Sequence, residues 1–361
     1  LAQLRAAPVE PELGLSKTGA PIVFMFTGQG SQYAGMCREL YETHLVFREA
    51  LDTCTNLFAN DREHSIRDLI LSAEDDVEAQ ALLNQTQYTQ PALFSIQVAL
   101  VQLYRELGIQ PDLIVGHSIG EVAGVWAAGG LSLADATLLV EVRSRLMQAV
   151  TAHGAMASVK SDVNSLRALL QKSGTDCEIA ACNSPVDTTI TGSADAIASA
   201  CEYLEKQNVR ATPLSVSHAF HSAHMEVLQD EFAQAIAALE FKKTRTPVMS
   251  NLDATVLEHH VQGAAYWSAQ LRAPVQFMQG LQQAIAAQGT CFVEIGPAAI
   301  LCGLGRALES EKSVHWLPSL RKGHRDARVF GNALATLFTL GHAIDWSGSE
   351  AFDGSRIHLP T

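Results

Sequence analysis

Continuous apolar runs along the chain predict buried strands. Ile22–Phe26, Leu113–Val115 and Cys291–Ile295 consist almost wholly of apolar residues. A short run of this kind is typical of a strand buried on both faces, as the strands of parallel sheets are. Glycine-containing segments follow these runs, and the helical patterns that come between them complete the order of an α/β fold. We therefore expect a large α/β-hydrolase-like domain with a parallel sheet at its core.

Apolar residues at helical spacing predict the helices. The predicted helices cover Met36–Thr43, Pro91–Leu107, Leu133–Val150, Met225–Ala238, Val275–Gln288 and Ala327–Leu340, and a further strand covers Val248–Ser250. The stretch Val122–Val140 has the composition of a membrane span, but Gly129-Gly130 interrupts it and Ser132 with Asp135 forms a capping box. This pattern favours two buried helices over a membrane span.

The pattern of predicted elements changes after Ala155, where short strands and helices alternate in the order β-α-β-β-α-β. The predicted elements are Met156–Val159, Val163–Leu170, Cys177–Cys182, Thr188–Thr191, Ala194–Gln207 and Ala211–Val216. This order is typical of a ferredoxin-like unit inserted into the larger domain. The expected organisation is an N-terminal linker (1–20), a large domain (21–153 and 218–317), a ferredoxin-like subdomain (154–217) and a C-terminal linker (318–361).

Charge and cysteine content narrow the class of protein. The chain of 361 residues carries a formal net charge of −13, which disfavours binding to nucleic acid or to an anionic membrane surface. Its 7 cysteines include no C-x-x-C pair, which indicates reduced thiols. Residues 1–21 lack the basic and apolar blocks of a signal peptide. We therefore expect a cytoplasmic protein with no nucleic-acid or membrane partner.

The strongest chemical signal is the segment Gly116–Glu121, which contains Ser118 in a G-x-S-x-G pattern between a predicted strand and a predicted helix. A sharp strand-to-helix turn lifts the hydroxyl out of the sheet, and the helix N-terminus behind it favours an oxyanion. The pattern predicts a serine nucleophile for acyl chemistry. The alternative is an ordinary tight turn in which Ser118 is a bystander.

A serine nucleophile needs a base, and three histidines follow the inserted unit, namely His218, His221 and His224. Their spacing also raises the possibility of a metal site, but only Glu226 offers a nearby carboxylate and the spacing is not that of a zinc site. The candidate acids that lie between serine and histidine fall inside the inserted unit. A Ser–His pair oriented by a backbone carbonyl therefore fits better than an α/β-hydrolase triad.

Several motifs together resemble the malonyl-CoA:acyl carrier protein transacylase family, and more closely the acyltransferase domain of a modular polyketide synthase. The matching segments, in order, are Phe26–Gln32, Thr89–Leu93, Gly116–Glu121, Arg143–Arg145, His218–Ser222 and Val293–Pro297. The resemblance covers about residues 22–317, and the segment from Leu320 to Trp346 resembles the linker that follows such domains. It implies a transferase of antibiotic biosynthesis that takes acyl-CoA as substrate and binds no cofactor.

The resemblance implies a role for each matching residue. Ser118 would carry the acyl group, and His221 would act as general base and then as general acid. The backbone N–H groups of Gln29 and Ile119 would form the oxyanion hole. Arg143 would grip a free carboxylate of the acyl group. The other residues expected to bind substrate are Gln90 (placed just before a helix start at Pro91), His117, Phe220 and His218; no metal ligand is expected.

Helix geometry supports an inward-facing Arg143. Glu141 and Arg145 are spaced to pair at i,i+4 on the solvated face, and Arg143 lies about 200° round the helix from each. A planar guanidinium can bind a carboxylate through two parallel hydrogen bonds, as a lysine cannot. The alternative is an ordinary surface arginine.

The resemblance also bears on substrate and partners. In this family a His-Ala-Phe-His segment accompanies malonyl selection, and the chain has His218-Ala219-Phe220-His221 with Ile119 after the serine. The expected partners are malonyl-CoA, neighbouring synthase domains, and an acyl carrier protein bearing phosphopantetheine. Carrier proteins are usually acidic, so the candidate docking patches are Lys242–Arg245 and Arg321–Arg328. The competing hypotheses are a serine hydrolase or thioesterase and a non-catalytic docking module.

Overall fold

A computed structural model describes residues 19–58, 62–216, 218–259, 262–308 and 313–346. The predicted linker segments 1–18 and 347–361 lie outside the described residues. The strands are β1 (Ile22–Phe26), β2 (Leu113–Gly116), β3 (Gly154–Val159), β4 (Cys177–Ser184), β5 (Asp187–Ser193), β6 (Ala211–Pro213), β7 (Val248–Met249), β8 (Cys291–Ile295) and β9 (His315–Pro318).

Helices surround these strands. They are α1 (Arg38–Thr43), α2 (Leu45–Leu57), α3 (Ile66–Ile70), α4 (Val77–Leu83), α5 (Thr86–Glu106), α6 (Gly120–Ala127), α7 (Leu133–Ala149), α8 (Val163–Ser173), α9 (Ala194–Lys206), α10 (Gln229–Ala235), α11 (Ala264–Arg272), α12 (Phe277–Ala286), α13 (Leu301–Gly305) and α14 (Asp326–Thr339), with a 3-10 helix at Ala223–Leu228. Within the described residues, no helix is both long enough and apolar enough to cross a bilayer.

The larger sheet has five parallel strands in the order β7-β2-β1-β8-β9. Phe26 at the end of β1 pairs with Gly116 on one side and Ile295 on the other. The carboxyl ends of these three strands therefore meet at one edge, where the loops that follow them converge. Because the strands are covered by helices, their side chains are buried along their whole length, and the predicted α/β fold with a parallel core is confirmed.

The smaller sheet is antiparallel, with the order β4-β5-β3-β6. Its own apolar core joins the strands to α8 and α9 through Leu166, Ile190 and Ile197. This is the predicted ferredoxin-like arrangement. Backbone hydrogen bonds between Val275 and the β4 residues Ala180 and Cys182, each 2.9 Å, connect the smaller sheet to the larger domain.

The structure differs locally from several predictions, including the strand expected over Ala211–Val216, which ends at Pro213, and the helix expected over Val275–Gln288, which spans Phe277–Ala286. The helix expected from Pro91 begins five residues earlier, at Thr86, so Pro91 lies inside α5. The helix expected over Met225–Ala238 starts as the 3-10 segment and continues as α10, which ends at Ala235. Strand β9 was not predicted, because its four residues include a histidine and a proline and show no apolar run.

Glu294 is a charged residue in the middle of the parallel sheet, and it is fully buried. Its carboxylate accepts hydrogen bonds from the backbone N–H groups of Ile300 and Leu301 at 2.8 Å and of Cys302 at 2.7 Å. These donors lie at the start of α13, where a helix leaves its N–H groups without internal partners. Glu294 thus ties β8 to the helix that follows it.

Replacing Glu294 by glutamine should lower the free energy of unfolding by about 1–3 kcal/mol, because the amide group keeps the size but turns a donor toward backbone donors. Urea unfolding followed by circular dichroism measures the change. Glu202→Gln, on the exposed face of α9, is the matched control and should stay within about 0.5 kcal/mol of the parent chain. A Glu294 variant as stable as this control would show that the three contacts contribute nothing.

Candidate active site

Ser118 stands at the corner between β2 and α6 with a φ of 53°, in the left-handed region. The turn is tight enough to require glycine on both sides. A Cβ atom on Gly116 would lie 2.3 Å from the backbone nitrogen of Glu121, and one on Gly120 would lie 2.3 Å from the carbonyl oxygen of Phe26. These contacts explain the G-x-S-x-G spacing and place the hydroxyl at the edge where the strands end.

The hydroxyl of Ser118 faces a histidine that is 103 residues away in sequence. Its Oγ lies 2.7 Å from Nε2 of His221, and Nδ1 of the same ring lies 2.9 Å from the carbonyl oxygen of Ala273. Because a carbonyl only accepts, Nδ1 carries the hydrogen and Nε2 offers its lone pair to the serine. The arrangement can therefore take up a proton from Ser118 with its imidazole oriented by a backbone carbonyl.

The surroundings of His221 keep its imidazole neutral. Burial, the positive charge of Arg143 and the neighbouring His117 together lower its pKa to about 3. A histidine usually titrates near 6.5. The neutral form, which is the only form that can act as a base, therefore prevails throughout the physiological range.

The loop after β1 lies against the serine turn. A Cβ atom on Gly28 would come within 2.8 Å of the carbonyl oxygen of His117, so only glycine allows this approach. Among the described residues, the backbone N–H groups of Gln29 and Ile119 find no acceptor. These are the two groups expected to form the oxyanion hole, and both are available to a ligand.

Arg143 on α7 is 1% exposed, which confirms that it faces inward. Its Nη1 donates to Oε1 of Gln90 at 2.6 Å, and its Nη2 donates to Oγ of Ser118 at 3.2 Å and to Oε1 of Gln270 at 3.3 Å. Its Nε is buried without a partner. Within the described chain, no carboxylate lies within ion-pair distance of this guanidinium.

The charge of Arg143 persists despite burial. Desolvation lowers its pKa to about 10, and the more distant carboxylate of Glu121 opposes part of that effect. The side chain is therefore a cation at neutral pH. A buried cation without a paired anion is costly, so an anionic group bound beside Ser118 would offset this cost.

Gln90 lies within the first turns of α5 rather than before the helix start, which corrects the sequence-based placement. Its Nε2 donates to Oγ1 of Thr86 at 2.7 Å, and that hydroxyl donates to Oε1 of Gln29 at 2.7 Å. A chain of hydrogen bonds thus runs from Gln29 through Thr86 and Gln90 to Arg143. It connects the oxyanion loop with the buried cation and orients the Gln90 amide so that its Oε1 faces the arginine.

Sequence reasoning missed two polar residues around the serine, Gln270 and Asn251. Gln270 on α11 donates to the carbonyl oxygen of Ser118 at 2.9 Å and to Oε2 of Glu121 at 3.0 Å. Asn251 accepts from the backbone N–H of Ser118 at 2.7 Å. Burial raises the pKa of Glu121 to about 7, although Tyr266 and Gln270 donate to its carboxylate. No periodicity or spacing marks Gln270 or Asn251.

A cavity of about 710 Å³ opens onto Ser118 between the two sheets. Its described lining includes the predicted residues His117, Phe220 and His221, with Met156, Asn183 and Leu214 from the small subdomain. Nε2 of His117 lies 2.9 Å from Oδ1 of Asn183. His218 is not part of this lining, because it stacks behind Phe220 with ring centroids 5.7 Å apart and contacts the carbonyl of Val150.

The histidine series at 218, 221 and 224 does not assemble a metal site. In the parts of the chain that the structure describes, no group of three or more His, Cys, Asp or Glu side chains is arranged to hold a metal ion. His221 uses both ring nitrogens for Ser118 and the Ala273 carbonyl instead.

Several known proteins resemble this chain in sequence and in fold. The family model described as the acyl transferase domain matches residues 23–344. The PKS-NRPS hybrid synthetase ATPKS of Aspergillus niger is 36% identical over 361 residues, which cover 95% of this chain and 19% of the synthetase. The mycoketide-CoA synthase of Mycobacterium tuberculosis is 35% identical over 351 residues, covering 96% of this chain and 8% of that protein. The chain thus spans about a fifth or less of these relatives.

Solved structures agree. The acyltransferase domain from the second module of the salinomycin polyketide synthase is 36% identical with a TM-score of 0.84, covering 96% of this chain and 80% of that one. The MCAT from Streptococcus pneumoniae is 29% identical with a TM-score of 0.75, covering 88% of this chain and 99% of that one. The chain therefore belongs to the acyl transferase domain family, as an acyltransferase domain of the modular polyketide synthase type.

Proposed function

We propose that the chain loads malonyl from malonyl-CoA onto Ser118 and passes it to the phosphopantetheine thiol of an acyl carrier protein. One observation supports an acyl group with a free carboxylate over a neutral one. Arg143 is a fully buried cation with no carboxylate partner in the described chain, and it donates to the hydroxyl of Ser118. A malonyl thioester brings the missing anion to within reach of the same guanidinium when its carbonyl meets Ser118.

The acylation step follows from the Ser118–His221 contact. His221 takes the proton of Ser118 through Nε2 while Oγ forms a bond to the thioester carbonyl carbon. The carbon–sulfur bond then breaks, and the proton on Nε2 passes to the departing CoA thiolate. Transfer of the acyl group from Ser118 to the carrier protein repeats these steps in reverse. His221 accepts the proton of the phosphopantetheine thiol, sulfur bonds to the carbonyl carbon, and the proton returns to Oγ as the ester bond breaks.

The backbone N–H groups of Gln29 and Ile119 donate hydrogen bonds that stabilise the negative charge developing on the carbonyl oxygen. Each such donor typically contributes about 10²–10³ in rate because it is oriented before the reaction begins. The hydrogen bond between Oε1 of Gln29 and Thr86 holds the loop in this position. Acyl-CoA and phosphopantetheine enter as substrates, and every step uses groups of this chain.

Phe220 supports selection of malonyl over methylmalonyl. Its ring lines the cavity that opens on Ser118, and stacking on His218 restricts its movement. A ring at this position leaves little room for a methyl branch on the α-carbon. One methyl group is worth only about 1–3 kcal/mol of discrimination, so the preference over methylmalonyl is moderate.

The position of the basic patches supports one docking side for the carrier protein. Backbone hydrogen bonds of 2.8 Å join the Lys242–Arg245 patch to the residues that follow α6, at the opposite end of that helix from Ser118. Lys322, in contrast, lines the cavity and lies 5.3 Å from the ring of Tyr33. The Arg321–Arg328 segment is therefore the better candidate for an acidic carrier domain, which would be a neighbour in the same synthase.

A serine hydrolase is the alternative within the same chemistry. Its usual triad carries a carboxylate on the second ring nitrogen of the histidine, but here the Ala273 carbonyl occupies that place. A neutral ester also has no anionic group that could pair with a buried arginine, so this arginine disfavours a hydrolase of neutral esters. A non-catalytic docking module has no use for the 2.7 Å contact between Ser118 and His221.

Incubation with malonyl-CoA should add one malonyl group to the protein, on Ser118, because the acyl group rests on the enzyme between two thiols. Intact-protein mass spectrometry measures the added mass, and peptide mapping assigns it. Ser118→Ala should remove the label entirely. A malonyl label that persists on the alanine variant would place the nucleophile elsewhere.

The pH profile should reflect the depressed pKa of His221. Since the free imidazole stays neutral down to about pH 3, kcat/KM for malonyl-CoA should be level between roughly pH 5 and 8, without an inflection near 6.5. Stability has its own trend. The unfolded chain protonates this histidine below about pH 6.5, whereas the folded chain does so only near pH 3, so the contribution of His221 to the free energy of unfolding falls as the pH is lowered from about 6.5 to about 3.

Circular dichroism at each pH separates these two effects, since activity lost through unfolding is accompanied by lost helical signal. A decline of kcat/KM between about pH 7 and 6 that persists in folded Glu121→Gln protein, which lacks the other site group with a pKa of about 7, would show that His221 titrates normally.

Arg143→Ala should lower kcat/KM for malonyl-CoA far more than for acetyl-CoA, which has no carboxylate. A charge-assisted hydrogen bond is worth about 1.5–3 kcal/mol, so the malonyl/acetyl ratio should fall roughly 10- to 100-fold. Lysine should restore the ratio only in part, because it lacks the planar fork. Arg145→Ala, on the same helix with a side chain 64% exposed, is the matched control. Equal losses on both thioesters would make Arg143 structural.

A further inference from the structure

Pro91 is the sixth residue of α5 and leaves a backbone group without its helical partner. A proline has no N–H, so the carbonyl oxygen four residues earlier, on Gln87, cannot be bonded within the helix. Nη1 of Arg62 donates to this oxygen at 2.7 Å. An arginine from outside the helix therefore replaces the missing donor, in the same turns that carry Gln90.

The same guanidinium also reaches α7. Its Nη2 contacts Oε2 of Glu141, two residues before Arg143, and both side chains are only 10% exposed. The expectation that Glu141 lies on a solvated face is wrong, because its side chain is buried. The expected i,i+4 pair is present, with Nη1 of Arg145 3.9 Å from Oε1 of Glu141. The guanidinium of Arg62 further lies 5.6 Å from the ring centroid of Tyr88.

Arg62 thus connects α5 and α7 close to the point where Gln90 on α5 contacts Arg143 on α7. The start of α5 carries Thr86 and Gln90, which form the hydrogen-bond chain from the oxyanion loop to Arg143. The guanidinium of Arg62 holds the backbone of that turn with one nitrogen and α7 with the other. Arg62 itself contacts neither Ser118 nor the described lining of the cavity.

We propose that Arg62, paired with Glu141, is a positioning residue for substrate selection: it holds the start of α5 against α7, so that Gln90 presents Oε1 to Arg143. The inference rests on the proposed function, in which Arg143 binds the acyl carboxylate. Without Arg62 the buried carbonyl of Gln87 loses its donor and Oε2 of Glu141 loses its partner, leaving Glu141 only the more distant Arg145, and the start of α5 shifts to reach water.

The expected consequence is a change in selectivity rather than a general loss. A displacement of about 1 Å at a binding group can cost up to about 100-fold in rate. Malonyl-CoA binds the guanidinium of Arg143 through its carboxylate, whereas acetyl-CoA has no carboxylate and depends on Arg143 only through the contact with Ser118. Loss of Arg62 should therefore lower the malonyl/acetyl ratio of kcat/KM by roughly 10-fold or more, with the larger part of the loss on malonyl.

The experiment compares both thioesters in Arg62→Met and Arg62→Lys. Lysine keeps a positive charge opposite Glu141 but cannot span both acceptors as the planar fork does, so it should fold and still lose selectivity. If circular dichroism shows that the methionine variant does not fold, the malonyl/acetyl ratio of the lysine variant alone tests the proposal. Arg67→Met is the matched control, since that arginine is 43% exposed and pairs on the surface with Asp68, and its ratio should not change.

A double-mutant cycle with Gln90→Ala tests whether Arg62 acts through Gln90. In the Gln90→Ala background, Arg62→Met should have no further effect on the ratio. An unchanged ratio in folded Arg62 variants, equal losses on both thioesters, or multiplicative effects in the double variant would overturn the proposal. Failure of the parent chain to accept malonyl on Ser118 would instead overturn the proposed function, so the two outcomes are distinguished by the parent protein.

Discussion

The buried positive charge of Arg143 is the constraint on which the site depends. Removing a guanidinium from water without an ion pair is unfavourable, and in the described chain only neutral oxygens from Gln90, Gln270 and Ser118 accept its hydrogen bonds. Each acceptor is itself fixed by further contacts, so the cation cannot relax toward solvent. The same charge lowers the pKa of His221, which couples the anion-binding group to the base.

That coupling has a chemical consequence. A carboxylate bound at Arg143 offsets the positive charge that His221 experiences, and the basicity of the imidazole rises when such a substrate is present. Glu121 contributes from the other side, since it is fully buried and holds Gln270 beside both Arg143 and the backbone of Ser118. Under the proposed function, binding of an acidic acyl group and activation of Ser118 therefore involve one set of contacts.

Both residues of the Ser118–His221 pair have strained backbones, and four other non-glycine residues of the described chain share a positive φ. Ser118 and His221 both have φ in the left-handed region, at 53° and 56°, although neither is glycine. Such conformations cost on the order of 1–3 kcal/mol each and persist only where the surroundings enforce them. Here the enforcement comes from Asn251, which accepts from the N–H of Ser118, and from the Ala273 carbonyl, which holds the ring of His221. The large domain supplies this chemistry, and the small subdomain supplies the opposite wall of the cavity.

The sequence by itself determined the local features. Continuous apolar runs located β1, β2 and β8, the glycines around Ser118 located the turn, and the box at Ser132 located the start of α7. These features arise from hydrogen bonds and steric limits between residues a few positions apart, so they leave a regular pattern. The inward direction of Arg143 was also predicted, although one premise of that prediction, a solvated Glu141, was wrong.

Only the tertiary structure decided which distant groups complete the site. Gln270 lies 152 positions from Ser118, and Arg62 lies 79 positions from Glu141. Such partners meet because a parallel sheet gathers the ends of its strands at one edge and helices pack across it. A single glutamine or arginine on an otherwise ordinary segment carries no periodic signal, so packing alone determines what it contacts.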